Sequence, residues 1–225
     1  MEEKERYKFG FLIGRLNHIH LGHEKLINTA LEISDRFLVL IGSKQESKTL
    51  RNPFSFETRK RLIEKIYEND DKVVVAGLDD MTNEQDINYD WGRYVLDHVY
   101  EIGGERPDLM IYGNDESRKG WFSEEDSKTI YQYVVDRNEL KISATELRGY
   151  LVVNDKSSWQ KYVNPKIKDE FDSLRKELLE VPVYKEIHDL IKHNLVIDNF
   201  KKIYEVYEKY DKEAKIKEIK KSNKK

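Results

Sequence analysis

Residues 11–31 read FLIGRLNHIHLGHEKLINTAL and gather three of the chain's six histidines, His18, His20 and His23, within six positions. Gly14, Arg15 and Gly22 stand among them. Three chemistries share this set. The histidines can be loop and cap residues with no chemical task. His18-Ile19-His20 can be the strand-end pair of a metal-dependent hydrolase, which needs further ligands. Only His98, His188 and His193 remain for that, all in segments of helical pattern. The third chemistry is phosphate binding. A helix beginning near Gly22-His23 directs free N–H groups and a positive dipole end at a bound anion. Gly22 lets the backbone approach, His20 and His23 donate hydrogen bonds, and Arg15 adds a bidentate charge.

The elements that position these residues follow from apolar spacing. Tyr7–Ile13 is a short buried strand ending at Gly14, and Leu26, Ile27, Ala30 and Leu31 mark a helix after it. Phe37–Ile41 repeats the pattern, ending at Gly42. Ser55 caps a helix with the face Leu62, Ile63 and Ile66. Val73–Ala76 is a third strand, followed by a helix carrying Trp91, Val95, Val99 and Ile102. Leu109–Tyr112 is a fourth, ending at Gly113-Asn114, and Tyr131–Val135 is a weaker fifth. Strands that are apolar throughout, alternating with amphipathic helices, predict an α/β fold: a Rossmann-like, doubly wound parallel sheet. Such sheets bind ligands beyond the carboxyl ends of their strands, where Gly14, Gly42 and Gly113 sit. Pro165 and Pro182 each open a further helix, and residues 199–221 suggest another. The expected organisation is an α/β domain over 1–164 and a helical C-terminal extension with a lysine-rich tail over 165–225.

Composition narrows the classes. The chain is 38% apolar and 37% charged, so a modest core carries a heavily solvated surface, while 25 aromatic residues argue against an unfolded chain. Cysteine is absent, which removes disulfides, thiolate metal sites and cysteine nucleophiles. The start MEEKERYKF lacks the apolar core of a signal peptide, and no apolar run approaches a membrane span. A cytoplasmic protein that touches no membrane is expected. A net charge of −3 gives no broad footprint for nucleic acid. Seven lysines against three acids in the last fifteen residues fit a solvated helix end.

A second constellation lies about 120 residues beyond the histidines, in KISATELRGYL. Ser143-x-x-Glu146 is a capping box that starts a helix and brings Arg148 near another positively polarised end. The pair Gly14-Arg15-x-x-x-x-His20-x-Gly22-His23 and Ile142-Ser143-x-Thr145-x-x-Arg148 resembles the H-x-G-H and I-S-x-T-x-x-R signatures of the nucleotidylyltransferase superfamily. Residues 41–59, IGSKQESKTLRNPFSFETR, are similar to the G-S-x-Q-x-S-x-T-x-x-N-P-F segment of archaeal-type nicotinamide mononucleotide adenylyltransferases. Asn88-x-x-Trp91 and Gly113-Asn114 extend the likeness, which runs from about Phe9 to about Pro165. The near-match of Gly42 through Lys48-Thr49 to a P-loop fails on two counts. Ser47 replaces its second glycine, and Pro53 interrupts the helix that should follow.

The resemblance implies an enzyme that joins ATP and nicotinamide mononucleotide into NAD and pyrophosphate. The mononucleotide phosphate attacks the α-phosphorus in line, and the protein supplies position and charge. It implies that His20, His23, Arg15 and Arg51 surround the reacting phosphates. Gly14, Gly22, Gly113, Asn114, Ser143, Thr145 and Arg148 would hold ATP, with Asn88 and Trp91 at the pyridine ring. Mg2+ would arrive with ATP, with no dedicated protein cage, and assembly into a homo-oligomer is compatible. Other acceptors remain open, nicotinic acid mononucleotide first, as does a non-catalytic nucleotide-binding regulator. One departure stands out: the family has an aromatic or methionine, glutamine and proline after Gly-Arg, whereas this chain has Leu16-Asn17-His18. The Nudix box found downstream in some relatives is absent, so no second hydrolase activity is expected.

Overall fold

The computed structural model describes residues 6–81, 89–114, 118, 120–136, 142–192 and 205–212. Asn88, His193 and the lysine-rich end lie outside the described residues. Five parallel strands run in the order β3-β2-β1-β4-β5: β1 is Tyr7–Gly14, β2 Ser34–Ile41, β3 Val73–Gly77, β4 Leu109–Gly113 and β5 Tyr131–Val135. The order reverses between β1 and β4, and a parallel sheet opens its ligand crevice at such a reversal.

The sheet is covered on both faces, which is why its strands carry apolar residues in unbroken runs. Leu12, Val39 and Ile111 face one cluster with α1 (Leu21–Ile33), α2 (Phe56–Ile66) and α5 (Ala144–Val153). Phe9, Phe11, Leu38 and Met110 face the other with α3 (Tyr89–Gly103) and the segment around α4 (Glu124–Thr129). Gly92 of α3 is a required close approach. A Cβ there would stand 1.7 Å from the Trp121 carbonyl oxygen, so only glycine admits that docking.

Beyond α5 come α6 (Lys156–Trp159), a 3₁₀ turn over Pro165–Glu170, α7 (Phe171–Leu179) and α8 (Pro182–Lys192). Of the helix expected over 199–221, the described part, 205–212, is helical. Ile167, Phe171, Leu174, Leu178, Tyr184 and Ile187 join the cluster that contains α1 and α5, so the C-terminal helices share one continuous core with the sheet. No helix among the described residues is long and apolar enough to cross a membrane.

Candidate functional site

An open cavity of about 460 Å³ lies at the carboxyl ends of β1 and β4. Gly14, Arg15, His23, Arg51, Thr145 and Arg148 line it, together with Ala144, Leu50 and Tyr207. His23 and Arg148, 125 positions apart in the chain, therefore share one pocket. Its volume falls in the range of small-molecule sites, and three arginines with a histidine make it suited to a polyanion.

The first helix start is built differently from the expectation. His20 caps α1: its Nδ1 accepts from the Gly22 N–H at 3.1 Å, which leaves Nε2 as the ring nitrogen that carries a proton. The Leu21 N–H donates to the Tyr162 carbonyl at 2.9 Å, and the His23 and Glu24 N–H groups both donate to the His20 carbonyl. The first turn of α1 thus has no free N–H for an anion, and the expectation that it offers several is corrected. The dipole remains, but contact falls to the side chains. His20 is buried and stacked on half-buried His23, with centroids 3.8 Å apart.

The second start keeps its donors. Ser143 and Glu146 close the reciprocal capping box foreseen from the sequence. Among the described residues the N–H groups of Ala144 and Thr145, at the first two helical positions, meet no acceptor, and both residues line the cavity. Arg148 donates through Nε to the Tyr184 hydroxyl at 2.8 Å, through Nη1 to the Asn17 carbonyl at 3.0 Å and through Nη2 to Thr145 Oγ1 at 3.0 Å. Three of a guanidinium's five N–H bonds are thereby used.

The loop from β1 to α1 holds two non-glycine residues at positive φ, Leu16 at 47° and His18 at 101°. Proline locks φ near −65°, so the backbone at His18 follows a path closed to proline. His18 is fully buried, and its Nε2 accepts from the Trp159 indole N–H of α6 at 2.9 Å. Burial, reinforced by Arg148 nearby, pulls its pKa down to about 3 against a weaker opposing backbone hydrogen bond. Because the indole takes the Nε2 lone pair, the neutral His18 ring carries its proton on Nδ1 and offers no lone pair to a metal beside His20, and the hydrolase reading falls. Among the described residues no group of three or more His, Asp or Glu side chains is placed to hold a metal ion.

Arg59 of α2 is a site-forming residue that sequence reasoning missed. It is 1% exposed and donates to the carbonyls of Arg15 at 2.9 Å, Gly42 at 2.8 Å and Ser43 at 3.0 Å, tying together the loops after β1 and β2. Burial pulls its pKa down to about 10, which leaves it charged at neutral pH. The signal was present: Arg59 falls on the same helical face as Leu62, Ile63 and Ile66, where an arginine has no reason to be buried unless backbone oxygens receive it.

Gly113-Asn114 ends β4, with the Asn114 side chain donating to Asp136 Oδ1 at 3.0 Å. Trp91 is half-buried at the start of α3, its ring 5.9 Å from Trp121 and 5.7 Å from Tyr94. It stands outside the set of residues that line the cavity. Arg51 approaches Asp211 of the 205–212 helix at 3.9 Å.

The comparisons agree with this architecture. The cytidylyltransferase-like family model matches residues 11–150. A nicotinamide-nucleotide adenylyltransferase of Archaeoglobus fulgidus is 27% identical over 176 residues, covering 74% of this chain and 93% of that protein. One of Thermococcus sibiricus is 30% identical over 156 residues, covering 68% and 77%. A solved structure of a bifunctional NMN adenylyltransferase/ADP ribose pyrophosphatase from Francisella tularensis, complexed with AMP and a manganese ion, superposes with a TM-score of 0.64 at 23% identity. That alignment covers 88% of this chain and 56% of the Francisella chain, so this chain spans little more than half of that protein's length. By the family match and by its archaeal relatives, the chain belongs to the cytidylyltransferase-like family, as a nucleotidyltransferase of nicotinamide-nucleotide adenylyltransferase type.

Proposed function

We propose that the chain transfers the adenylyl group of ATP to nicotinamide mononucleotide, forming NAD and pyrophosphate. The single observation that carries this reading is the shared pocket of His23, Arg15, Arg51, Thr145 and Arg148 at the reversal of the sheet. A 5′-phosphate oxygen attacks the α-phosphorus of ATP, the bond to the bridging oxygen of the β-phosphate breaks, and pyrophosphate carries away the electron pair. No protein nucleophile is needed. The protein must hold two polyanions together and meet the charge that builds on the equatorial oxygens.

His23 and the Nε2–H of His20 donate to the reacting phosphates, and Arg15 and Arg51 offset their repulsion. Thr145, the two amides at the start of α5 and the remaining N–H bonds of Arg148 hold the departing pyrophosphate. ATP enters as its Mg2+ complex, the metal being part of the substrate. Trp91, at the start of α3, receives the pyridine ring, a role shared with Asn88. On this reading residues 1–164 carry the chemistry and residues 165–225 brace it.

The test is a side-by-side incubation of the purified protein with Mg2+, ATP and either nicotinamide or nicotinic acid mononucleotide, following pyrophosphate and dinucleotide together. Stoichiometric NAD and pyrophosphate from the nicotinamide substrate are expected. Faster release with the acid would move the acceptor assignment. ATP binding with no product from either would replace the enzyme by a nucleotide-binding regulator.

A further inference from the structure

Tyr184 is the third residue of α8, far in sequence from every motif of the pocket, and only 1% exposed. Its hydroxyl accepts from Arg148 Nε at 2.8 Å and donates to the Leu50 carbonyl at 2.9 Å. The direction of both bonds is forced, because a guanidinium N–H can only donate and a carbonyl can only accept. Burial pushes the phenol pKa up to about 12, so the hydroxyl keeps the proton that it gives to Leu50. Leu50 immediately precedes Arg51, and Leu50, Arg51 and Arg148 all line the cavity. One buried hydroxyl therefore joins the guanidinium on the second helix start to the backbone that carries Arg51.

We infer that Tyr184 is a positioning residue: the C-terminal extension uses its hydroxyl to orient Arg148 toward the triphosphate and to keep Arg51 in step with it. The inference rests on the proposed role of Arg148 in holding ATP. A guanidinium turns freely about its last side-chain torsion unless its donors are anchored. With Nε on Tyr184, Nη1 on Asn17 and Nη2 on Thr145, the plane is fixed, and one N–H on each Nη is left for a ligand. Thr145 belongs to the same helix and Asn17 to the strained loop, so the phenol is the one anchor supplied by a rigid, separately packed element. Preorganised donors of this kind cost no reorganisation when charge develops.

The test compares Tyr184→Phe, Arg148→Lys and the double variant in the full chain. It reads KM for ATP, KM for the mononucleotide and kcat, together with the rise in melting temperature that ATP produces, which reports affinity even where turnover is lost. Lysine keeps the charge but lacks the Nε–H that the phenol receives. Tyr184→Phe is expected to raise KM for ATP about tenfold, the size of one hydrogen bond to a charged group, with little effect on the mononucleotide. In the Arg148→Lys background the same change should cost almost nothing. Equal loss in both backgrounds, or an unchanged KM for ATP in Tyr184→Phe while Arg148→Lys is impaired, would overturn the inference alone. An Arg148→Lys variant that handles ATP normally would instead remove the proposed role of Arg148.

Discussion

His20 and His23 lie face to face, ring centroids 3.8 Å apart and planes inclined by 27°, although only His20 is tied into the helix start through its Nδ1. One imidazole is a structural cap as well as a candidate donor, and the other has no such duty in the cap. Their substitutions should therefore separate. His23→Ala should lower kcat by about 10²–10³, the usual loss for one donor to a transition-state anion, with the melting temperature unchanged. His20→Ala should add a stability loss of about 1 kcal/mol from the missing cap. His20→Asn should restore the melting temperature without restoring turnover, since asparagine caps well and offers no imidazole. Calorimetry beside steady-state kinetics checks all three; full activity in His23→Ala would remove the histidine from the chemistry.

The pH dependence of folding should bear the mark of His18. Its folded pKa of about 3 lies below the ordinary imidazole value near 6.5, so between these limits the unfolded chain binds a proton that the folded chain refuses. Stability is then fully present above the unfolded pKa and drains away as pH falls. Going from pH 7 to pH 5 this single residue should cost about 2 kcal/mol. His18→Gln, which offers an oxygen to the Trp159 indole without an imidazole to titrate, should flatten that part of the curve. Identical acid limbs for the two proteins, followed by melting temperature, would show that His18 is protonated as easily when folded as when unfolded.

The strand and helix pattern was open to reading from apolar spacing because a sheet covered on both faces needs unbroken apolar runs. The weakest of the five, Tyr131–Val135, is weak for a physical reason: as an edge strand it leaves Tyr131 and Val134 about half exposed. The pocket residues His23, Arg15, Thr145 and Arg148 were legible because motifs place them locally, at strand ends and helix starts. What supports them was not. The bonds from Tyr184 to Arg148, Trp159 to His18 and Arg59 to Arg15 join separate elements, and no spacing rule announces a contact across 36, 141 or 44 residues. The unexpected use of every early N–H of α1 has the same origin, since one acceptor is the distant Tyr162 carbonyl and another an imidazole in the cap position, where Ser, Thr, Asp and Asn are the usual residues.

Asp211 should temper the affinity of the pocket for phosphate. Its carboxylate stands 3.9 Å from Arg51, both side chains being only partly exposed, and Tyr207 of the same helical segment lines the cavity. A partly exposed pair of this kind is worth a fraction of a kcal/mol up to about 1. Asp211→Asn should therefore lower KM for ATP about two- to threefold at low ionic strength. The difference should shrink as salt rises to about 0.5 M, because screening weakens the competing carboxylate along with the attraction. An Asp211→Asn enzyme with the native KM at low salt would mean that Arg51 is not in electrostatic contact with the bound nucleotide.

Trp91 can be core or platform, and its surroundings allow the two to be told apart. It is half-buried, set edge-on to Trp121, and flanked by Gly92, whose missing side chain lets the Trp121 backbone dock on α3. A ring that only fills space should be replaceable by leucine or phenylalanine at the cost of stability alone. A ring that receives the pyridine should lose about 1–3 kcal/mol of binding when its face is removed, the value typical of an aromatic stacked on a base. Trp91→Ala is therefore expected to raise KM for the mononucleotide at least several-fold while KM for ATP stays put. Trp91→Phe should recover most of that binding and Trp91→Leu little of it, although both keep an apolar side chain there. If leucine and phenylalanine serve equally well and only the melting temperature distinguishes them, Trp91 belongs to the aromatic core with Tyr94 and Trp121, and the pyridine ring rests elsewhere.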